Sequence, residues 1–250
     1  MVRVLLLIAL LVPSLSAAFM SEKEIVASQA VAGQWPVGDR IAFWAERFVG
    51  TPYDPDPLGE YVRKNVVIAD ERVDCMYLTF RVVELSFSRD EEGAVRIALD
   101  KRFPERGILQ NGKIVNYKDR FQYGEDMLDS GKWGREITGE LGGTLRIAGS
   151  RGRPQVRILS RGELQRGAAR LRNGDLVFFV RDPARRLSDE IVGHIGIIRE
   201  EANKVYLIHA SGLKNKGGRV KKTLLTDYLK TMPFKGARVS RFDPETPMPE

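Results

Sequence analysis

The stretch Gly174–Ser211 reads GDLVFFVRDPARRLSDEIVGHIGIIREEANKVYLIHAS and contains both histidines of the 250-residue chain, His194 and His209. His194 opens the run His-Ile-Gly-Ile-Ile, and His209 closes the run Val-Tyr-Leu-Ile-His. Both runs are apolar and rich in β-branched residues, and the polar segment Arg199–Lys204 separates them, a pattern that predicts an antiparallel hairpin. Asp175–Val180 predicts a third strand beside it. In such a hairpin the start of one strand lies against the end of the next, so the two imidazoles become neighbours.

Working outward, the chain's single cysteine, Cys75, lies far upstream in Arg-Val-Asp-Cys-Met-Tyr-Leu-Thr-Phe. Met76, Leu78, Phe80, Val83, Leu85 and Phe87 are apolar on more than one face, which predicts a buried helix from Cys75 to Phe87. A cysteine in a first helical turn feels the partial positive charge of the helix N-terminus, so its thiol is expected to titrate in the acid range. One cysteine and two histidines are the parts of a nucleophile, its base and the group that orients the base. Cys75, His194 and His209 fill these places in order, and Tyr53 is a candidate oxyanion donor beside the backbone N–H of Cys75.

Other readings of the same residues are blander. A histidine in a strand is ordinarily a satisfied core residue, and a lone cysteine an inert one. Cys75, both histidines and Asp74 could also ligate zinc, but the closely spaced pairs C-x-x-C or H-x-x-x-H are absent.

Composition narrows the class. Hydrophobic residues make up 43% of the chain, enough for a substantial core. The net charge of +7 comes from 40 basic residues scattered among 33 acidic ones, and no nucleic-acid-binding motif accompanies it, so no nucleic-acid partner is expected. Residues 1–18 read as a signal peptide: a basic start at Arg3, an apolar run Val4–Leu15 and the small residues Ser16-Ala17-Ala18 before a cut after Ala18. That run falls short of the roughly 20 residues of a membrane-spanning helix. An exported protein with no stable membrane insertion after cleavage is expected. Export makes one unpaired cysteine informative, because exported chains that use cysteine for stability carry it in pairs.

Residues 19–250 are read as one domain. Helices are expected at Ser21–Ala32, with Ser21 and Glu24 forming a capping box, and at Asp39–Phe48. The proline-rich loop from Gly50 to Gly59 follows, then a short extended piece at Val66–Ala69. Residues 88–170 read as an elaboration and a candidate lid. They hold short extended pieces around Asn111-Gly112, short helices at Asp119–Ser130 and Trp133–Leu141, and extended segments at Gly143–Ala148 and Pro154–Leu159. A strand at Arg219–Lys221, a helix at Leu224–Lys230 and a last strand at Ala237–Arg241 complete the chain. The expected fold class is α+β, a Cys-bearing helix packed on an antiparallel sheet that carries both histidines.

Five motifs stand in a fixed order: Gly50-Thr-Pro-Tyr53, Val73-Asp-Cys75, Gly174–Phe179, Gly193-His-Ile-Gly-Ile197 and Ile208-His-Ala-Ser211. Together they resemble the motifs of the NlpC-type, papain-like cysteine hydrolases of bacterial cell walls. Two further segments, Arg120–Leu128 and Arg135–Gly143, are similar to the N-acetylmuramoyl-L-alanine amidase-like family within that superfamily. The resemblance spans roughly residues 40–242. It implies a papain-like fold, a Cys75–His194–His209 triad, and Tyr53, Asp74, Arg120, Tyr123 and Ser211 as oxyanion- or substrate-binding residues. It further implies peptidoglycan or muropeptide fragments as partners, the amide between N-acetylmuramic acid and L-alanine as the bond cut, no metal or organic cofactor, and the periplasm as the site of action. Alternatives are a peptidase cutting between D-glutamate and a diamino acid in the stem peptide, and a wall-binding protein that hydrolyses nothing. The chain departs from the family at Met76–Phe80, where small polar residues are usual, and at Gly124, where an aromatic or hydroxyl residue is usual; both bear on the shape of the pocket.

Overall fold

The computed structural model describes residues 20–186 and 189–244. The segment read as a signal peptide, residues 1–18, lies outside them.

Among the described residues the chain opens with α1 (Glu22–Ala32) and α2 (Val37–Arg47). The expected capping box closes α1, with the Ser21 hydroxyl accepting from Glu24 N while the Glu24 carboxylate accepts from Ser21 N. The proline-rich loop and a single turn, α3 (Glu60–Arg63), lead to α4 (Cys75–Ser86) and α5 (Glu91–Lys101). Val66–Ala69 is irregular rather than a strand. Next comes a small hairpin, β1 (Leu109–Gln110) and β2 (Lys113–Ile114), whose turn residues Asn111 and Gly112 hold φ of 49° and 73°. Asn-Gly in this left-handed geometry is the preferred two-residue hairpin turn.

The two helices expected between residues 119 and 141 are shorter than their patterns suggest. The first is only α6 (Gly124–Asp129), and the second splits into β3 (Arg135–Glu136) and α7 (Thr138–Leu141). Tertiary pairing decides the split, because Arg135 and Glu136 lie opposite Arg241 and Ser240 of the last strand. After these come β4 (Thr144–Ala148), β5 (Gln155–Ser160), the unanticipated α8 (Arg161–Arg166), β6 (Leu176–Val180), β7 (Val192–Glu201), β8 (Lys204–Leu213), β9 (Gly217–Leu224), α9 (Leu225–Thr231) and β10 (Gly236–Arg241).

One antiparallel sheet runs in the order β4-β5-β10-β6-β7-β8-β9, with β3 also paired to β10. Residues 88–170 therefore contribute strands to the sheet that carries the histidines. Strand alternation sorts the sheet's side chains into two cores. Phe178, Val180, Ile195, Ile197, Ile208 and Ala210 join Leu78, Val82 and Leu85 of α4 on one face. Val177, Phe179, Ile198, Leu207 and Val239 pack with Leu164 of α8 and with Leu225 and Leu229 of α9 on the other. With helices on both faces, β6 can be five apolar residues in a row, all buried. The expected fold class, α+β with the Cys-bearing helix against an antiparallel sheet, is what the chain adopts.

Helix α4 is less apolar than its pattern implies. Arg81 and Glu84 are fully buried within it, and so is Arg102 beside it. Arg102 Nε and Nη2 donate to the Glu84 carboxylate at 2.6 and 2.8 Å. Arg81 donates to Asp70 at 2.9 Å and to Glu91 at 3.0 Å. Charges removed from water in this way have to be paired.

Candidate active site

Asp74 starts the Cys-bearing helix: its backbone is extended, and its Oδ1 accepts from Tyr77 N at 2.9 Å. Such a cap stabilises a helix by about 1 kcal/mol and here places Cys75 at the first helical position. The loop Gly50–Asp54 is stitched in beside it. Val220 N donates to Thr51 O at 2.9 Å, Tyr53 N to Gly218 O at 2.9 Å and Val73 N to Pro52 O at 3.0 Å. Gly212 of β8 completes the join, because a Cβ there would fall 2.2 Å from Tyr53 Cγ. The tyrosine packs directly on the strand.

The histidines meet across a parting in the sheet. The β7–β8 ladder runs from the Ala202-Asn203 turn to its last rung, Ile197 opposite Ile208, and His194 and His209 lie beyond that rung. There His194 Nε2 stands 2.9 Å from His209 Nδ1. On its other side β7 stays paired to β6, with His194 opposite Phe179 and a bulge at Gly193 that shifts the next rung to Val192 opposite Val180. A bulge of this kind re-aims the neighbouring side chain. Glu125 of α6 fixes the entry to the bulge, its buried carboxylate accepting from Ile191 N at 2.9 Å and Val192 N at 3.2 Å.

Both imidazoles lie on the sheet face opposite α4. His194 stacks with Phe234, their planes 5° apart, while Tyr228 meets the His209 ring edge-on at 4.9 Å between centroids. Cys75 reaches the parting from the α4 side, and the backbone N–H of Ile195 donates towards its sulfur. Cys75 and His194 line one cavity of about 440 Å³ together with Tyr53, Asp74, Arg120 and Tyr123. His209 is only 6% exposed and stands behind that lining. Ser211 does not line the cavity; it pairs with Arg219 in β9. A larger cavity of about 720 Å³, between the start of α2 and the loop around Asn173, has neither the thiol nor an imidazole in its wall.

The electrostatics correct one expectation. Burial pushes the Cys75 thiol up to about 12, the charge of Asp74 adds to that, and the Ile195 N–H and Lys214 only partly oppose it. The helix N-terminus does not bring the thiol into the acid range, because desolvation outweighs a partial charge. Burial also lowers His194 to about 3, helped by His209, and lowers His209 to about 4, helped by Lys221. Thiol and imidazoles are therefore all neutral at neutral pH. In the neutral pair, His194 Nε2–H donating to His209 Nδ1 leaves His194 Nδ1 as a free proton acceptor; the opposite tautomer leaves none. Burial first, then the thiol, Asp74 and Asp54, holds the Tyr53 phenol protonated, so its hydroxyl keeps a proton to donate.

Lys214, Arg181 and Glu190 also line the cavity. No motif or spacing marks these three residues in the sequence. Tyr228 was equally hidden: it is an ordinary aromatic on a short helix until α9 folds against both imidazoles. Gly124, one of the departures from the resembled family, is explained by packing, since a Cβ there would lie 2.6 Å from Val192 Cγ1. Among the described residues no three His, Cys, Asp or Glu side chains converge as a metal site.

No protein-family model matches the chain. No curated protein matches it in sequence. Solved structures do match in fold. A Bacteroides uniformis N-acetylmuramoyl-L-alanine amidase is 22% identical with a TM-score of 0.62, over 82% of this chain and 98% of its own. A Legionella pneumophila protein of family DUF1460 is 17% identical with a TM-score of 0.70, over 91% of this chain and 96% of its own. A Bacteroides fragilis protein provisionally named a xylanase is 18% identical with a TM-score of 0.57, over 80% of this chain and all of its own.

Proposed function

We propose that this protein is a cysteine amidase acting on peptidoglycan fragments, cutting the amide between N-acetylmuramic acid and L-alanine. The observation that carries the reading is the parting of β7 from β8, where one thiol and one imidazole share a cavity and a second imidazole backs the first at 2.9 Å. The name of the Bacteroides uniformis neighbour supports the choice of bond.

In this reading His194 Nδ1 takes the Cys75 proton as sulfur attacks the substrate carbonyl, so the S–H bond breaks as the new C–S bond forms rather than before it. His209 holds the tautomer that makes Nδ1 basic and takes up part of the imidazolium charge. The oxyanion meets the Cys75 N–H and the Tyr53 hydroxyl. His194 then returns the proton to the departing amine, and water hydrolyses the thioester by the same base. Arg120 and Tyr123 bind substrate along the cavity wall. The reaction needs no metal or organic cofactor. Export to the periplasm and action on free muropeptides complete the proposal; no described helix is long and apolar enough to cross a membrane.

Mass spectrometry of defined muropeptides, incubated with wild type and with Cys75→Ala, tests it. Free stem peptide and free muramic sugar, formed by wild type alone, are expected. Cleavage within the stem would move the bond to the D-glutamyl–diamino acid link. No product from any muropeptide would leave a wall-binding protein.

A further inference from the structure

The acidic groups that line the cavity each have a cationic partner. Glu190 Oε1 is 2.9 Å from Arg181 Nη2, and Asp74 Oδ2 is 2.9 Å from Lys214 Nζ. Arg120 gives Nη1 to the Tyr117 carbonyl at 3.0 Å. The Lys214 pair is the informative one, because Asp74 adjoins the nucleophile in sequence and caps its helix. Lys214 sits on the turn between β8 and β9. Its ammonium also reaches the Asp54 carbonyl at 3.4 Å and lies 5.6 Å from the centre of the Tyr53 ring. One lysine thus touches the helix cap, the Tyr53 loop and the histidine strand's own hairpin.

Without that lysine, Asp74 Oδ2 would present a bare negative charge beside the sulfur. Such a charge opposes thiolate, repels a carboxylate and attracts an amine. We propose that Lys214 is a positioning residue that neutralises Asp74 and tunes the cleft to amides bearing a carboxylate near the scissile bond, against amides bearing a free amine there. The inference rests on the reading of Cys75 as nucleophile and deepens it by fixing the charge of the preferred substrate.

The chain's single thiol makes the test direct. Full-length wild type, Lys214→Met and Lys214→Arg are alkylated at one pH and ionic strength with neutral iodoacetamide and with anionic iodoacetate. A change in thiolate fraction moves both rates equally, so their ratio reads the potential at the sulfur. Lys214→Met is expected to lower the iodoacetate-to-iodoacetamide ratio by about threefold to tenfold, as loss of one partly exposed charge implies. Lys214→Arg should hold it within about twofold, and added salt should shrink the difference. Asp74→Asn, which keeps a capping side chain, should raise the ratio instead. A ratio unmoved in both Lys214→Met and Asp74→Asn would overturn the proposal.

Substrate selection is read by protection of Cys75. N-acetyl-L-alanyl-D-glutamate should slow alkylation of wild type more than the free-amine dipeptide does, and Lys214→Met should lose or reverse that order. The same order in both proteins would overturn the selection. Muropeptide cleavage indifferent to Cys75→Ala would instead sink the nucleophile reading, and it would leave the ratio measurement intact.

Discussion

The charge cluster beneath the Cys-bearing helix permits a quantitative prediction. Glu84 and Arg102 are both fully buried and joined by two hydrogen bonds. Removing one member of such a pair strands the other, at a cost of about 3–5 kcal/mol. The two single variants should differ. In Arg102→Met, Glu84 keeps Arg81 at 3.5 Å, although that guanidinium is already committed to Asp70 and Glu91. The loss should sit near the lower end, about 3 kcal/mol. In Glu84→Met, Arg102 keeps the Tyr117 hydroxyl and aromatic company, with the Tyr77, Phe80 and Tyr61 rings 5.2–5.8 Å away. Such contacts return at most about 2 kcal/mol, so the loss should lie nearer 4–5 kcal/mol. The double variant replaces a costly ion pair with two apolar side chains and should come within about 2 kcal/mol of wild type. Urea unfolding followed by far-UV circular dichroism reads this directly: at a slope of about 2 kcal/mol per molar, Arg102→Met lowers the midpoint by about 1.5 M. A double variant as unstable as the sum of the singles, or singles costing under about 1 kcal/mol, would refute the reasoning.

Three further outcomes follow from the site. Alkylation of Cys75 should rise about tenfold per pH unit from pH 7 to 10, as a thiol pushed up to about 12 requires, and a plateau between pH 5 and 8 would contradict it. Both histidines titrate lower in the folded chain than in the unfolded one, so the unfolded chain binds more protons below about pH 6.5. Stability should therefore be present above that pH and fall towards pH 4, by up to about 1.4 kcal/mol per pH unit for each histidine; denaturant titrations should show a shallower fall in His209→Asn. Gly124→Ser places a side chain against Val192 at the entry to the bulge and should cost about 1–3 kcal/mol while slowing muropeptide cleavage; full stability and rate would show that β7 yields freely.

Much of this was legible in the chain. Short apolar runs rich in β-branched residues announced β6, β7 and β8, and Asn-Gly announced the small hairpin, because these signals are local. The helix beginning at Cys75 and the approach of the two imidazoles followed from the same short-range rules. What stayed hidden depends on partners distant in sequence. Arg135 and Glu136 look helical until Arg241 and Ser240 pair with them. Arg81 and Glu84 look like the wet side of a helix until Asp70, Glu91 and Arg102 arrive. The thiol was misjudged for a related reason: helix direction can be read from sequence, whereas desolvation belongs to the assembled fold.

The parting of β7 from β8 places two kinds of selection in opposition. One or two more rungs beyond Ile197 and Ile208 would add hydrogen bonds and close the sheet, and a protein chosen for endurance alone would gain from them. The same rungs would seal Ile195 away from the sulfur and separate the thiol from both imidazoles. Variants that raise the melting temperature by tightening this end of the hairpin are therefore the ones in which chemistry should be lost first, so thermostability is better sought at the far end, around the Ala202-Asn203 turn.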